Sequence, residues 1–395
     1  ILNAYDKEGS YILDYTSKYS SNAGFWLMGA QTNAGGLDTV VHEEFHDYTH
    51  SKGSFGEQAI YVGNGKDIMV SHGYYGVDIF PTETWAGTLP ESMQTFRYET
   101  YAAPGAEASS NIEGPYGLLN EFAAYCWGMH NQLALFPYYK SQGDSMAVWE
   151  SFINGCSNDR QAFSEFRFWT LGYMDYAKNN DKAVYDYIMN DQAYLDAYIT
   201  ILDQFEAQIR EFDARCDEIV KIAAADGNSV RFADGWFWFN SRGIGTHEEQ
   251  YLMLMEEIGK SKYQKIEQEM RARSSAASFT GFRLEDGEYA WYENGEMQED
   301  MTGLVKGTID GKTAWYYIED GIFTNATGLA KRADGSSATW FYVSKGVYKR
   351  GTGIAKRADG SSKNRYYVLR GKFYKYNGTI EFNGKEYNLV NGVVR

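Results

Sequence analysis

Apolar side chains recur at three- and four-residue spacing through much of the chain as far as Arg273, the period of a helix with one buried face. The run Gly117-Leu118-Leu119-Asn120-Glu121-Phe122-Ala123-Ala124-Tyr125-Cys126-Trp127 is helical on this criterion, and the spacing persists near 145 to 155, 160 to 178 and 192 to 224, which predicts long paired helices. Tyr194, Tyr198, Leu202, Phe205 and Ile209 fall on one stripe, a core-packing pattern rather than a cofactor site. Upstream, Val40, Val41 and Phe45 give the apolar side of a helix that starts after Gly35-Gly36, with Asp38 or Thr39 as cap, and stops at Gly53. Ala59 to Val62 and Ile68 to Val70 flank Gly63-Asn64-Gly65 and predict two strands around a turn. Mixed aromatic and polar positions predict short strands between Ile1 and Asn33. The aperiodic stretch from Ser71 to Gly114 predicts a long surface excursion near a cleft. After the aromatic knot Trp236-Phe237-Trp238-Phe239, residues Thr246 to Arg273 read as one charged helix with a solvated face, on which His247 is incidental.

The texture changes at Ser274-Ser275-Ala276-Ala277-Ser278, which reads as a linker. Beyond it Thr302-Gly303, Thr327-Gly328 and Thr352-Gly353 recur at one fixed interval, and Gly321, Gly346 and Gly371 keep the same interval, as do Tyr317, Tyr342 and Tyr367. The octapeptide AKRADGSS appears at Ala330 and again at Ala355. A short fixed period with aromatic runs and glycine turns predicts stacked β-hairpins, each too small to bury its own apolar face. The expected organisation is therefore an α+β domain over 1–273, largely helical in its later half, a linker at 274–278, and a β-hairpin repeat (solenoid) module over 279–395.

The net charge of -16 is uneven: from Phe279 onward there are 17 Lys+Arg and 14 Asp+Glu, against 20 and 39 before it. So acidic a front argues against nucleic acid as its partner. Cys126, Cys156 and Cys216 are too few and too scattered for a disulfide framework and read as buried thiols. No apolar run is long enough to span a bilayer, and the opening at Ile1 without a start methionine reads as a processed or trimmed product.

The chemistry concentrates in Val41-His42-Glu43-Glu44-Phe45-His46-Asp47-Tyr48-Thr49-His50. On a helix His42 and His46 share one face and can present two imidazoles to one metal ion, with Glu43 beside them. Random placement yields such an HExxH about once in a hundred chains of this composition, so a third ligand decides whether these are ligands or surface residues of an amphipathic helix. His50 stands eight residues from His42, a rise of about 12 Å, too far for one ion on an unbroken helix. His72 and His130 are isolated, and Glu121 lies on the predicted helix downstream.

Taken together, the HEEFH segment and Asn120-Glu121-Phe122-Ala123-Ala124 resemble the gluzincin group of zinc metallopeptidases. The resemblance implies a zincin-like fold, Zn²⁺ held by His42, His46 and Glu121, Glu43 as general base, and hydrolysis of peptide bonds in a protein or peptide substrate. Tyr75, Tyr98, Tyr101 and Tyr116 lie in the interval where an oxyanion donor is expected, and Asp47 and Tyr125 are candidate orienters of the ligands. The repeats, with Trp315-Tyr316-Tyr317 and Trp340-Phe341-Tyr342 followed by Asp-Gly or Lys-Gly and then Thr-Gly, resemble the cell-wall-binding or choline-binding repeats of Gram-positive surface proteins. That likeness implies a secreted or cell-surface location and a bacterial wall or glycan as partner. The rival reading is a non-enzymatic surface adhesin in which HEEFH is fortuitous or inactive.

Overall fold

A computed structural model describes residues 1–19, 22–29, 34–71, 78–143, 145–275, 281–285, 288–293, 296–309 and 312–395. The chain forms two compact units, Ile1–Ala277 and Ser278–Arg395. The division falls inside the segment read as a linker, but Ser274 and Ser275 are tied to the first unit through hydroxyl bonds to Asp196.

Helices build the first unit. Met146–Asn180 runs unbroken for 35 residues where the spacing marked two segments, and Gln192–Ala225 runs for 34. Both begin on an aspartate or serine whose side chain accepts a backbone N–H of the first turn, Ser145 from Val148 and Asp191 from Tyr194. They meet the helix Pro115–Ala134 at Phe122, Phe163 and Phe205, whose ring centroids lie 5.2 to 5.9 Å apart. Every member of the Tyr194 to Ile209 stripe is buried.

Three expectations give way. The segment from Ile1 to Asn33 contains helices Leu2–Tyr5, Lys7–Thr16 and Ala23–Trp26 rather than strands. Asp6 caps the second of these through the Gly9 N–H, and Ile12 and Thr16, four apart, are its buried face. The interval from Ser71 to Gly114, described except for 72–77, is not a surface excursion. It carries the short helices Glu83–Ala86, Tyr98–Tyr101 and Ser109–Ile112, and it buries Trp85, Arg97, Tyr98 and Ala102. Trp85 lies so close to Gly172 of the long helix that a Cβ there would meet the indole at 1.9 Å. Finally, Thr246 to Arg273 forms two helices, Glu248–Ile258 and Ser261–Arg273, parted at Gly259. The face of the second is not fully solvated, because Glu267 pairs with buried Arg167 through two bonds of 2.9 Å.

The predicted hairpin is present as Glu57–Gly63 paired antiparallel with Lys66–Ser71. The aromatic knot becomes Trp236–Phe239, the middle of three short antiparallel strands. Among the described residues, no helix is long and apolar enough to cross a membrane.

The second unit is an antiparallel sheet of many strands that does not close. Its register repeats with the sequence: Gly303 opposes Ile318, Gly328 opposes Val343, and Gly353 opposes Val368. The turns repeat as well. Asp320, Lys345 and Arg370 each take a φ of 51–52°, followed by Gly321, Gly346 and Gly371 at positive φ, the two-residue hairpin geometry that requires left-handed backbone at both central positions. Each unit is then bonded to the next, since the N–H groups of Tyr317, Tyr342 and Tyr367 donate to the carbonyls of Gly346, Gly371 and Gly392 at 2.7 to 2.8 Å.

Candidate metal centre

The motif lies on the helix Leu37–Lys52. Gly36 is its N-cap and no side chain caps it. Asp38 instead accepts from the neighbouring Thr39 N–H at 2.7 Å, so neither expected cap residue serves. Gly53 ends the helix in an extended conformation, where a Cβ would meet the Glu57 carbonyl at 2.3 Å. Close approach of the next strand therefore selects this glycine. Val40, Val41 and Phe45 are fully buried, which fixes the rotation of the helix and turns His42 and His46 toward the helix Pro115–Ala134.

There the two rings meet Glu121. The His42 and His46 Nε2 atoms are 3.2 Å apart, and the Glu121 Oε2 atom lies 3.6 Å from the first and 3.4 Å from the second. A tetrahedral ion with bonds of about 2.0–2.1 Å spaces its ligands about 3.3–3.4 Å apart, so the triangle has the edges such an ion needs. Glu121 Oε2 is buried and makes no hydrogen bond, so its charge is compensated either by a proton on His46, 3.4 Å away, or by a cation held between the three groups. His42, His46 and Glu121 thus form a group that could hold a metal ion.

The tautomer of His46 follows from a chain of buried amides. The Tyr116 carbonyl can only accept, and the Gln58 Nε2 donates to it at 3.0 Å. Gln58 Oε1 must then accept from Asn120 Nδ2, at 2.8 Å, which leaves Asn120 Oδ1 facing His46 Nδ1 at 2.5 Å. His46 Nδ1 carries the proton and its Nε2 offers the lone pair to the centre. Asn120 is the orienter of His46. Asp47, the residue expected in that role, makes no hydrogen bond to it among the described residues. Tyr125 does border the site, its ring edge-on to His42 with centroids 4.3 Å apart.

Electrostatics separate the two histidines. Burial, with His46 close by, pushes His42 down to about 3. Burial acts the same way on His46, but the charge and proximity of Glu121 outweigh it and raise that ring to about 8. Burial raises the Glu121 carboxyl, yet His46 and His42 prevail and hold it below its ordinary value. Glu43, which follows His42 in the chain and is half-buried, is raised by burial above its ordinary value.

The remaining histidines weighed as a third ligand are not in this cluster among the described residues. His50 is an exposed residue of the last turn, His130 lies 3.5 Å from Asp6, and His72 falls outside the described residues. Of the tyrosines, Tyr98 bonds the Ala86 carbonyl and Tyr116 donates to Asp191 at 2.9 Å, so both are engaged elsewhere; Tyr75 lies outside the described residues. Tyr101 remains beside the centre. Its hydroxyl is 3.2 Å from that of Tyr125, and burial followed by the charge of Glu121 holds it well above its ordinary value. Behind this pair, Arg97 is buried and donates to Tyr125 at 3.0 Å, to Glu165 at 2.8 Å and to Asn158. Because arginine only donates, the Tyr125 oxygen accepts from Arg97, and either hydroxyl can donate in the bond between Tyr125 and Tyr101.

Sequence reasoning assigns no role to Asn120, Gln58, Arg97 or Glu165. A polar Gln58 leading the apolar run Ala59-Ile60-Tyr61 is the one visible signal of a buried amide, and nothing in the sequence connects it to Asn120. Cys126 and Cys156 are buried, as read, and Cys216 is partly exposed. No protein-family model, curated protein or solved structure matches the chain.

Proposed function

We propose that the first unit is a zincin-like peptidase domain that hydrolyses peptide bonds with zinc held by His42, His46 and Glu121. The observation that carries the reading is the ligand triangle of 3.2, 3.4 and 3.6 Å with a buried carboxylate oxygen at one corner. Two imidazoles and one carboxylate are a donor set suited to zinc in hydrolytic sites. When bound, zinc supplies a water acidic enough to be deprotonated near neutral pH. Glu43, adjacent to His42 and raised by burial, takes that proton and delivers it to the leaving amine. Tyr101 donates to the peptide oxygen as negative charge develops on it, and Tyr125, held by Arg97, positions Tyr101. Asn120 keeps the Nε2 of His46 available.

The packing of an HExxH helix against a downstream helix bearing the third ligand supports the gluzincin-type reading, and the hairpin-by-hairpin hydrogen bonding of the second unit supports a solenoid of wall- or glycan-binding repeats. A secreted or cell-surface bacterial enzyme anchored by its repeats unites the two. Metal analysis of the purified chain together with cleavage profiling on a peptide library tests this. We expect one zinc per chain, and Glu43→Gln to keep the zinc while losing about 10² to 10⁴ in rate. A chain without tightly bound metal overturns the zinc peptidase and leaves the adhesin, whereas undiminished cleavage by Glu43→Gln removes Glu43 from the mechanism.

A further inference from the structure

Charge in the second unit is divided along its length. Residues 279–325 hold 3 Lys+Arg and 10 Asp+Glu, whereas residues 326–395 hold 14 and 4. The acidic part is followed by a stretch of net charge +10 in which every lysine is exposed. Among the described residues none of those 14 cations forms an ion pair, although ion pairs are plentiful in the helical unit.

Two of the cations are held in a repeated setting. The Arg332 guanidinium lies 4.4 Å from the Trp315 ring and 5.6 Å from Phe341; one repeat later Arg357 lies 4.5 Å from Trp340 and 5.8 Å from Tyr366. Arg332 Nη1 donates to Ser336 at 3.2 Å, and Arg357 Nη1 to Ser361 at 3.1 Å. Backbone bridges from Leu304 to Arg332 and from Leu329 to Arg357 fix both main chains. Lys331 approaches Trp340 at 5.2 Å and Lys372 approaches Phe341 at 5.8 Å.

Two consequences follow. One face of Trp315 and one of Trp340, where a quaternary ammonium could be attracted, are occupied by the protein's own arginines. A guanidinium stacked between rings and tethered at one nitrogen is fixed in plane, and its remaining edge N–H groups form a preorganised fork for an oxyanion. Among the described residues this unit has no helix to enter a duplex groove.

We propose that residues 326–395 bind a linear anionic glycan or polyol chain, with Arg332 and Arg357 gripping phosphate or carboxylate groups one repeat apart and the exposed lysines supplying the surrounding field. This deepens the reading of the repeats as the binding module and is independent of the metal site.

The test uses the full-length chain against immobilised poly(glycerol phosphate), polygalacturonate, uncharged dextran and duplex DNA. Retention by either anionic polymer, with affinity falling more than tenfold between about 50 and 200 mM salt, is the expected result. The phosphate and carboxylate arms identify which group is preferred. Arg332→Gln/Arg357→Gln should weaken binding at least tenfold, and Arg332→Lys/Arg357→Lys should recover only part of it. Lys345→Gln/Lys349→Gln/Lys356→Gln/Lys363→Gln changes four exposed side chains away from the tryptophans, and should lower both affinity and salt slope with the sheet intact by circular dichroism. Equal binding to dextran, tighter binding to DNA than to either polymer, release by choline, or unchanged affinity in the lysine or arginine variants overturns the proposal. Chelating the metal should not alter retention, so a failure here is distinguishable from a failure of the peptidase reading.

Discussion

Glu121 and His50 test the centre one side chain at a time. Glu121 Oε2 closes the triangle from within the protein, whereas His50 is exposed on the last turn of the motif helix. Glu121→Ala should therefore reduce zinc affinity sharply and remove activity, and His50→Ala should retain both within a few-fold; a titration with the opposite ranking would reassign the third ligand. Asn120→Leu is subtler, since it removes the acceptor that fixes His46 and the donor to Gln58 Oε1 without touching a ligand atom. It should cost about 10 to 100-fold in metal affinity, read by competition with a chromogenic chelator. Affinity should also depend on pH in a defined direction. Zinc requires neutral imidazole, His46 holds its proton up to about pH 8, and His42 is already neutral above about 3. The apparent affinity should thus rise about tenfold per unit from roughly pH 6.5 to 8, with close to one proton released per ion, and then level off. A flat profile over that window would mean that Glu121 does not hold a proton on His46.

At the scale of elements, the helix Ser261–Arg273 is attached to the long helix by a buried charge pair as well as by apolar packing. Arg167 donates twice to Glu267 and also lies 2.9 Å from Glu206, which is more exposed. Glu267→Ala leaves that guanidinium buried with one partner fewer, and should destabilise the first unit by about 3 kcal/mol, measured by urea unfolding. A change near zero would show that Glu206 and water compensate. The same element exposes a limit of pattern reading: a charged stretch with helical spacing looks solvated until an arginine from a helix far back in the chain comes to meet it. The helices between Ile1 and Asn33 escape pattern reading for a related reason. Tyr11 and Tyr15 belong to a helical period, but Asp6 as cap and Ile12 with Thr16 as buried face are recognisable only once the motif helix supplies the surface that covers them.

For the whole molecule, two units divided at Ala277/Ser278 with opposite net charge should unfold as two transitions. Zinc should raise only the one belonging to the helical unit. In fragments cut at Phe279, the tail alone should bind bacterial walls. A single cooperative transition, or wall binding confined to the front fragment, would contradict that division of labour.

What the amino-acid order determined by itself was local and periodic. Two histidines four apart must share a helical face, a stripe at helical spacing must be buried, and a fixed repeat must reproduce its turns and its register, because each follows from backbone geometry within a short stretch of chain. The resemblance of two short segments to a peptidase motif singled out Glu121, far downstream of His46. Tertiary structure alone brought Glu121 within 3.4 Å of His46, chose Asn120 over Asp47 as orienter, and set an arginine against one face of Trp315 and of Trp340. Those outcomes depend on which side chains meet across the fold and on donor and acceptor assignments passed through buried amides to a backbone carbonyl, and neither is encoded in the spacing of residues along the chain.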